Sequence, residues 1–120
     1  MFRHEIVLMS EITDEYMHEM LETLKPYTLI LLHSTPKRNE LGADKIIWEH
    51  GRRNFALRRD GLLCLVCPAT DEGSVAGMYI FRTNVEETKK IMDGDPAVMA
   101  GVFTYDAHAL AGFPGDALAK

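Results

Sequence analysis

The sequence predicts an α+β domain in which an additional N-terminal helix precedes a β-α-β-β-α-β run. Three observations carry that expectation. Apolar residues recur at helical spacing in three segments, run continuously or alternate in four others, and Pro, Gly and Asn punctuate the gaps between them. At 120 residues there is room for one domain with a real core and not for two.

The first element spans Glu11 to Leu24. Thr13 is placed to cap it, Asp14 and Glu15 lie where the helix dipole favours acids, and Met17, Met20, Leu21 and Leu24 form its stripe. Pro26 limits its continuation, and the stripe requires cover from its own domain or from a partner. Tyr27 to His33 is a strand of nearly continuous apolar character, followed by a polar loop, Ser34 to Asn39. From Ala43 to Arg59 a second helix aligns Ile47, His50, Asn54 and Leu57 on one stripe, with Ile46 and Trp48 flanking it, and Asp60-Gly61 ends it. Leu62 to Cys67 and Val75 to Phe81 are strands of a hairpin whose turn is Pro68 to Ser74. Asn84 caps a third helix with Val85, Thr88, Ile91 and Met92 inward. Gly94 stops that helix, and Asp95-Pro96 pairs an N-cap with proline at the first helical position. A last strand runs from Val102 to about Leu110, and Gly112 to Lys120 is a small, polar tail.

This order after the first helix is that of the ferredoxin-like fold, in which two helices cover one face of a four-stranded antiparallel sheet. A sheet with one wet face should alternate, yet the first two strands are apolar on both faces. The uncovered face therefore needs a partner. A second copy of the chain is the expected cover, giving a sheet-to-sheet homodimer, and the N-terminal helix is the competing cover.

Composition narrows the function. The net charge of -5 and the absence of a long Lys/Arg run argue against nucleic acid; Arg52-Arg53 and Arg58-Arg59 fit a solvated helix face. No apolar run approaches the roughly 20 residues that span a bilayer, so no membrane partner is expected. The stretch Met1 to Met9 is too short and too early in acid for a secretory leader, and a cytoplasmic location is the expectation. Cys64 and Cys67 are expected as buried apolar thiols, because strand positions three apart point to opposite faces and no second C-x-x-C completes a zinc site. No histidine stands in an H-x-x-x-H or H-x-E arrangement, no glycine-rich phosphate loop is present, and no flavin or nicotinamide fingerprint occurs; neither a metal nor a cofactor is expected.

The chemistry-bearing candidates are His50, on an otherwise apolar stripe, and Asp95, held at a helix junction. A carboxylate accepting from one imidazole nitrogen sets the tautomer and raises basicity, leaving the other nitrogen for acid–base work in a cleft. The alternatives are a satisfied core histidine and an aspartate that serves as an N-cap alone. Asn54 is a candidate ligand-orienting amide or a helix-surface amide. Along the last strand Val102, Thr104, Asp106 and His108 alternate with the apolar Phe103, Tyr105, Ala107 and Ala109. Thr104, Asp106 and His108 are thus expected on the far face of the sheet, as pocket-lining residues of a barrel-like dimer or as a wet strand end. His33 is expected at a rim.

Between Tyr27 and Leu110 the chain resembles the YCII-related family of small dimeric α+β-barrel proteins. The resemblance lies in Glu49-His50, in Arg58-Arg59-Asp60-Gly61-Leu62-Leu63 leading into a strand, and in Asp93-Gly94-Asp95-Pro96 followed by Ala100-Gly101-Val102. It implies a ferredoxin-like dimer with a His–Asp pair in a cleft, matched here by His50 and Asp95. Residues 1–26 have no counterpart in short members of the family. A related dehydrochlorinase and the similarly folded muconolactone isomerases imply proton transfer on small ring compounds. The resulting expectation is a cofactor-independent lyase or isomerase in which His50 takes a proton and Asp95 orients it. A non-catalytic dimer that binds a small molecule is the alternative.

Overall fold

The structure, a computed structural model, describes residues 11–120. The stretch Met1 to Met9, considered above as a leader, lies outside the described residues. Helix α1 (Asp14–Glu22) is followed by β1 (Lys25–Ser34), a 3₁₀ turn (Pro36–Asn39), α2 (Ala43–Arg59), β2 (Leu63–Pro68), β3 (Val75–Phe81), α3 (Val85–Asp93), the short α4 (Pro96–Met99) and β4 (Phe103–Gly112). The four strands form one open antiparallel sheet in the order β2-β3-β1-β4, an α+β arrangement compatible with the ferredoxin-like expectation.

The caps anticipated from sequence are made. Thr13 Oγ1 accepts from Tyr16 N at 3.1 Å, Asn84 Oδ1 accepts from Glu87 N at 2.8 Å, and Asp95 accepts from the first free N–H groups of α4. The polar loop after β1 is ordered as a 3₁₀ turn because Thr35 caps it and Pro36 sits at its first position.

Alternation along β1 separates the two faces of the sheet. Thr28, Ile30 and Leu32 are buried, and Tyr27, Leu29 and Leu31 between them are half-buried. The buried set joins Leu63, Tyr79, Phe81 and Phe103 from the other strands and meets Ala43 of α2, Met92 of α3 and Ala97 of α4. Helices therefore cover one face only. The opposite face presents Leu29, Leu31, Leu65, Met78 and Ile80 half-buried. Helix α1 does not cover that face: none of its residues is buried, and Tyr16, Met17 and Leu21 are exposed.

Two local expectations are corrected. Val102 is not on the far face with Thr104; it precedes β4, is buried, and bonds back to Ala97 O at 2.9 Å through a turn at Gly101, whose φ is 73°. The cysteines are free but not buried. The β2–β3 register slips between Leu63 and Leu65, and this bulge leaves Cys64 exposed, with Cys67 only half-buried.

The core and α1 predict opposite responses to truncation. Phe81→Ala, at a fully buried site, is expected to lower the unfolding free energy by about 3–5 kcal/mol. Leu21→Ala is expected to change it by less than about 1 kcal/mol. Urea unfolding of the two variants against the parent chain measures both.

Candidate functional site

Asp95 is 1% exposed, and its carboxylate holds together two elements. Oδ2 accepts from Ala97 N at 2.9 Å and Val98 N at 3.2 Å, capping α4, while both oxygens lie 2.8 Å from His50 Nδ1. The capping and orienting roles weighed from sequence therefore coexist. Arg53 Nη1, one turn of α2 further on, stands 3.8 Å from Oδ1. Burial alone would raise the Asp95 pKa; the hydrogen bond and charge of His50, together with the Val98 and Ala97 N–H groups, outweigh it and hold the carboxyl below its ordinary value.

The rest of the site follows from donor and acceptor accounting. A carboxylate only accepts, so Nδ1 carries the proton and Nε2 of the neutral ring is an acceptor. Tyr79 OH lies 2.9 Å from Nε2 and donates to it. Asn54 Nδ2 donates to the same phenol oxygen at 3.2 Å and stands 3.3 Å from His50 Nε2. The result is a continuous chain, Asn54 to Tyr79 to His50 to Asp95, with no buried side-chain polar atom left unpartnered among the described residues. Burial raises the Tyr79 hydroxyl to about 12, against the Asn54 hydrogen bond and with help from the Asp95 charge. Tyr79 is therefore a neutral donor at physiological pH.

His50, Asn54 and Tyr79 border a hollow of about 240 Å³ whose remaining wall includes Leu32, Ile47, Val66 and Phe103, with Arg38 at its edge. The Phe103 ring stands 5.1 Å from the imidazole, centroid to centroid. A larger depression of about 380 Å³ on the outer side of α2 is lined by Trp48 and Phe55 but has no buried titratable group.

Of the residues singled out from sequence, His50, Asp95 and Asn54 are brought together. Asn54 is buried, which decides against a surface amide. Thr104, Asp106 and His108 are exposed on the opposite face of the sheet, so within one chain they do not reach this hollow. There Asp106 Oδ2 accepts from His33 Nε2 at 2.8 Å, so His33 is a paired residue of that face. Tyr79, Arg38 and Arg53 were missed. The signal for Tyr79 was present: a phenol on the core-facing parity of β3 needs a polar partner, and the second ring nitrogen of His50 had none assigned. Among the described residues no group of three or more His, Cys, Asp or Glu side chains is placed to hold a metal ion. Among the same residues no helix is long and apolar enough to cross a membrane.

Compared with known proteins, the chain matches no protein-family model and no curated protein. The class of site is thus defined by its own geometry: a buried His–carboxylate pair extended by a tyrosine to a small, mostly apolar hollow.

Two pH effects follow. Because the folded Asp95 binds its proton less tightly than the unfolded chain, stability is complete above about pH 4 and falls as pH drops through the folded value. Tyr79 behaves in the opposite sense: the folded state keeps a proton that the unfolded chain loses above about pH 10, so stability falls between about pH 10 and the folded value of about 12. Urea midpoints across pH are expected to show both limbs, with Asp95→Asn flattening the acid limb. Tyr79→Phe should reduce the alkaline limb without abolishing it, since burial and Asp93 also push Tyr105 up to about 12.

Proposed function

We propose that this chain is a cofactor-independent lyase or isomerase of the YCII-related kind, moving a proton on a small cyclic substrate. The observation that carries the reading is the buried Asp95–His50–Tyr79 chain ending at a hollow. As the substrate C–H bond breaks, its proton passes to the Tyr79 oxygen while the Tyr79 proton passes to His50 Nε2. The imidazolium that forms is stabilised by the Asp95 carboxylate. The electron pair left on carbon forms a double bond, either expelling a leaving group such as halide or allowing reprotonation at another carbon. No free phenolate accumulates, in keeping with a hydroxyl pKa of about 12.

The same reading places the chain in a ferredoxin-like homodimer assembled through the open sheet face. Its support is the row of half-buried Leu29, Leu31, Leu65, Met78 and Ile80, which neither the helices nor α1 covers. In that assembly Thr104, Asp106 and His108 border the interior and are the further substrate-contacting candidates. One observation favours the rival reading of a non-catalytic small-molecule binder: His50 Nε2 is already engaged by Tyr79, and the residue is only 6% exposed.

Deuterium exchange separates the two. A panel of small unsaturated and halogenated ring compounds is incubated with protein in heavy water and followed by proton NMR. Turnover or exchange that falls by about 10²–10⁴ in His50→Ala and Asp95→Asn is the expected result. Exchange at the same rate in His50→Ala, or ligand binding with no exchange at all, removes the enzymatic reading. For the assembly, sedimentation is expected to show a dimer for the parent chain and a monomer for Leu31→Glu, a charge placed on the open face.

A further inference from the structure

We infer that the hollow takes a small ring carboxylate, anchored by Arg38 at its mouth. Apart from Arg38 the hollow has no formal charge on its wall when His50 is neutral. Arg38 is presented there by local chemistry. Thr35 Oγ1 donates to Gly101 O at 2.6 Å and accepts from Lys37 N at 3.2 Å, tying the 3₁₀ turn to the turn before β4. Within that turn Arg38 Nη1 donates to Ser34 Oγ at 2.6 Å, and the guanidinium carbon sits 5.4 Å from the centroid of the Phe103 ring.

A guanidinium has five N–H donors, and among the described residues the one side-chain hydrogen bond it makes goes to Ser34. No carboxylate pairs with it among those residues either, in a chain whose acids outnumber its bases by five. Stacking on an aromatic face leaves the donors in the plane of the group available, which is the geometry that grips a carboxylate with two parallel bonds. Phe103 is shared: its ring also contacts the imidazole of His50. A ligand held at Arg38 would therefore lay its body along Phe103 toward His50 and Tyr79. The volume of about 240 Å³ corresponds to about eight water molecules at ~30 Å³ each, enough for a six-membered ring and one carboxylate. Apolar walls favour the ring, and a single cation suits one carboxylate better than a phosphate ester.

This inference rests on the pocket used by the proton-transfer reading but not on any turnover there. Benzoate is the probe and benzamide its uncharged counterpart, titrated by calorimetry with amide chemical shifts as a second readout. Benzoate is expected to bind saturably, more tightly than benzamide and less tightly as salt is added. Arg38→Met should weaken benzoate by about tenfold or more and leave benzamide unchanged. Because Arg38 is exposed, an unchanged urea midpoint serves as the folding control. Equal affinity for the two probes, no binding of benzoate, or benzoate affinity untouched by Arg38→Met would each overturn the inference. Benzoate binding through Arg38 with no proton exchange on any compound of the panel, charged or uncharged, sinks the catalytic reading and leaves this one. Exchange on the panel with no binding of benzoate does the reverse.

Discussion

The Asp95 carboxylate is the constraint from which the site is built. It is almost fully removed from water, and a charge in that position is tolerable only when its lone pairs are met by donors. Two come from the backbone of α4 and one from His50. Because the carboxylate cannot donate, it dictates where the imidazole proton lies. The imidazole then dictates that Tyr79 donates to Nε2, and the filled Tyr79 oxygen in turn takes the Asn54 amide. Each step removes a choice from the next, so four residues from two separate elements and one connection reach a single hydrogen-bond pattern.

The fold places these groups by ordinary means. His50 and Asn54 are one helical turn apart, so α2 presents both on the face it packs against the sheet. Tyr79 and Phe103 stand on the helix-facing parity of β3 and β4. Asp95 arrives from the connection between α3 and β4, where Gly94 ends one helix and Pro96 starts the next. The apolar neighbours matter as much as the polar ones. Low dielectric strengthens hydrogen bonds that are complete and penalises any that are broken, so the network and its hydrocarbon walls depend on each other.

Much of this was legible in the sequence. The bounds of α2 and β3 and the Thr13, Asn84 and Asp95 caps follow from local rules of spacing and capping, while the pairing of His50 with Asp95 was a candidate that the family resemblance also implied. What escaped was whatever depended on register or reach. The bulge beside Leu63 that exposes Cys64 has no turn residue to announce it. Val102 alternates correctly as a strand residue, but the turn at Gly101 keeps it out of β4 and in the core. Tyr79 lay among apolar neighbours and was passed over, although its hydroxyl required a partner. Arg38 and Arg53 act through long side chains whose destinations no periodicity encodes. Helix α1 has the stripe of a buried helix yet buries nothing within the described chain, because a stripe states a need for cover and not its source.

The sheet carries a second histidine–carboxylate pair, and the contrast shows that distance alone does not make a reactive centre. His33 and Asp106 on the open face are as close as His50 and Asp95, at 2.8 Å in both cases. Their surroundings differ: the side chains of the first pair are 29% and 58% exposed, those of the second 7% and 1%. In water-like dielectric an exposed pair contributes about 0–1 kcal/mol and holds neither ring nor carboxylate firmly. The buried pair gains orientation from backbone caps, a relay partner in Tyr79 and exclusion of competing water. The inner pair is already in its final environment within one chain, which is why the proton-transfer reading is placed on that side of the sheet.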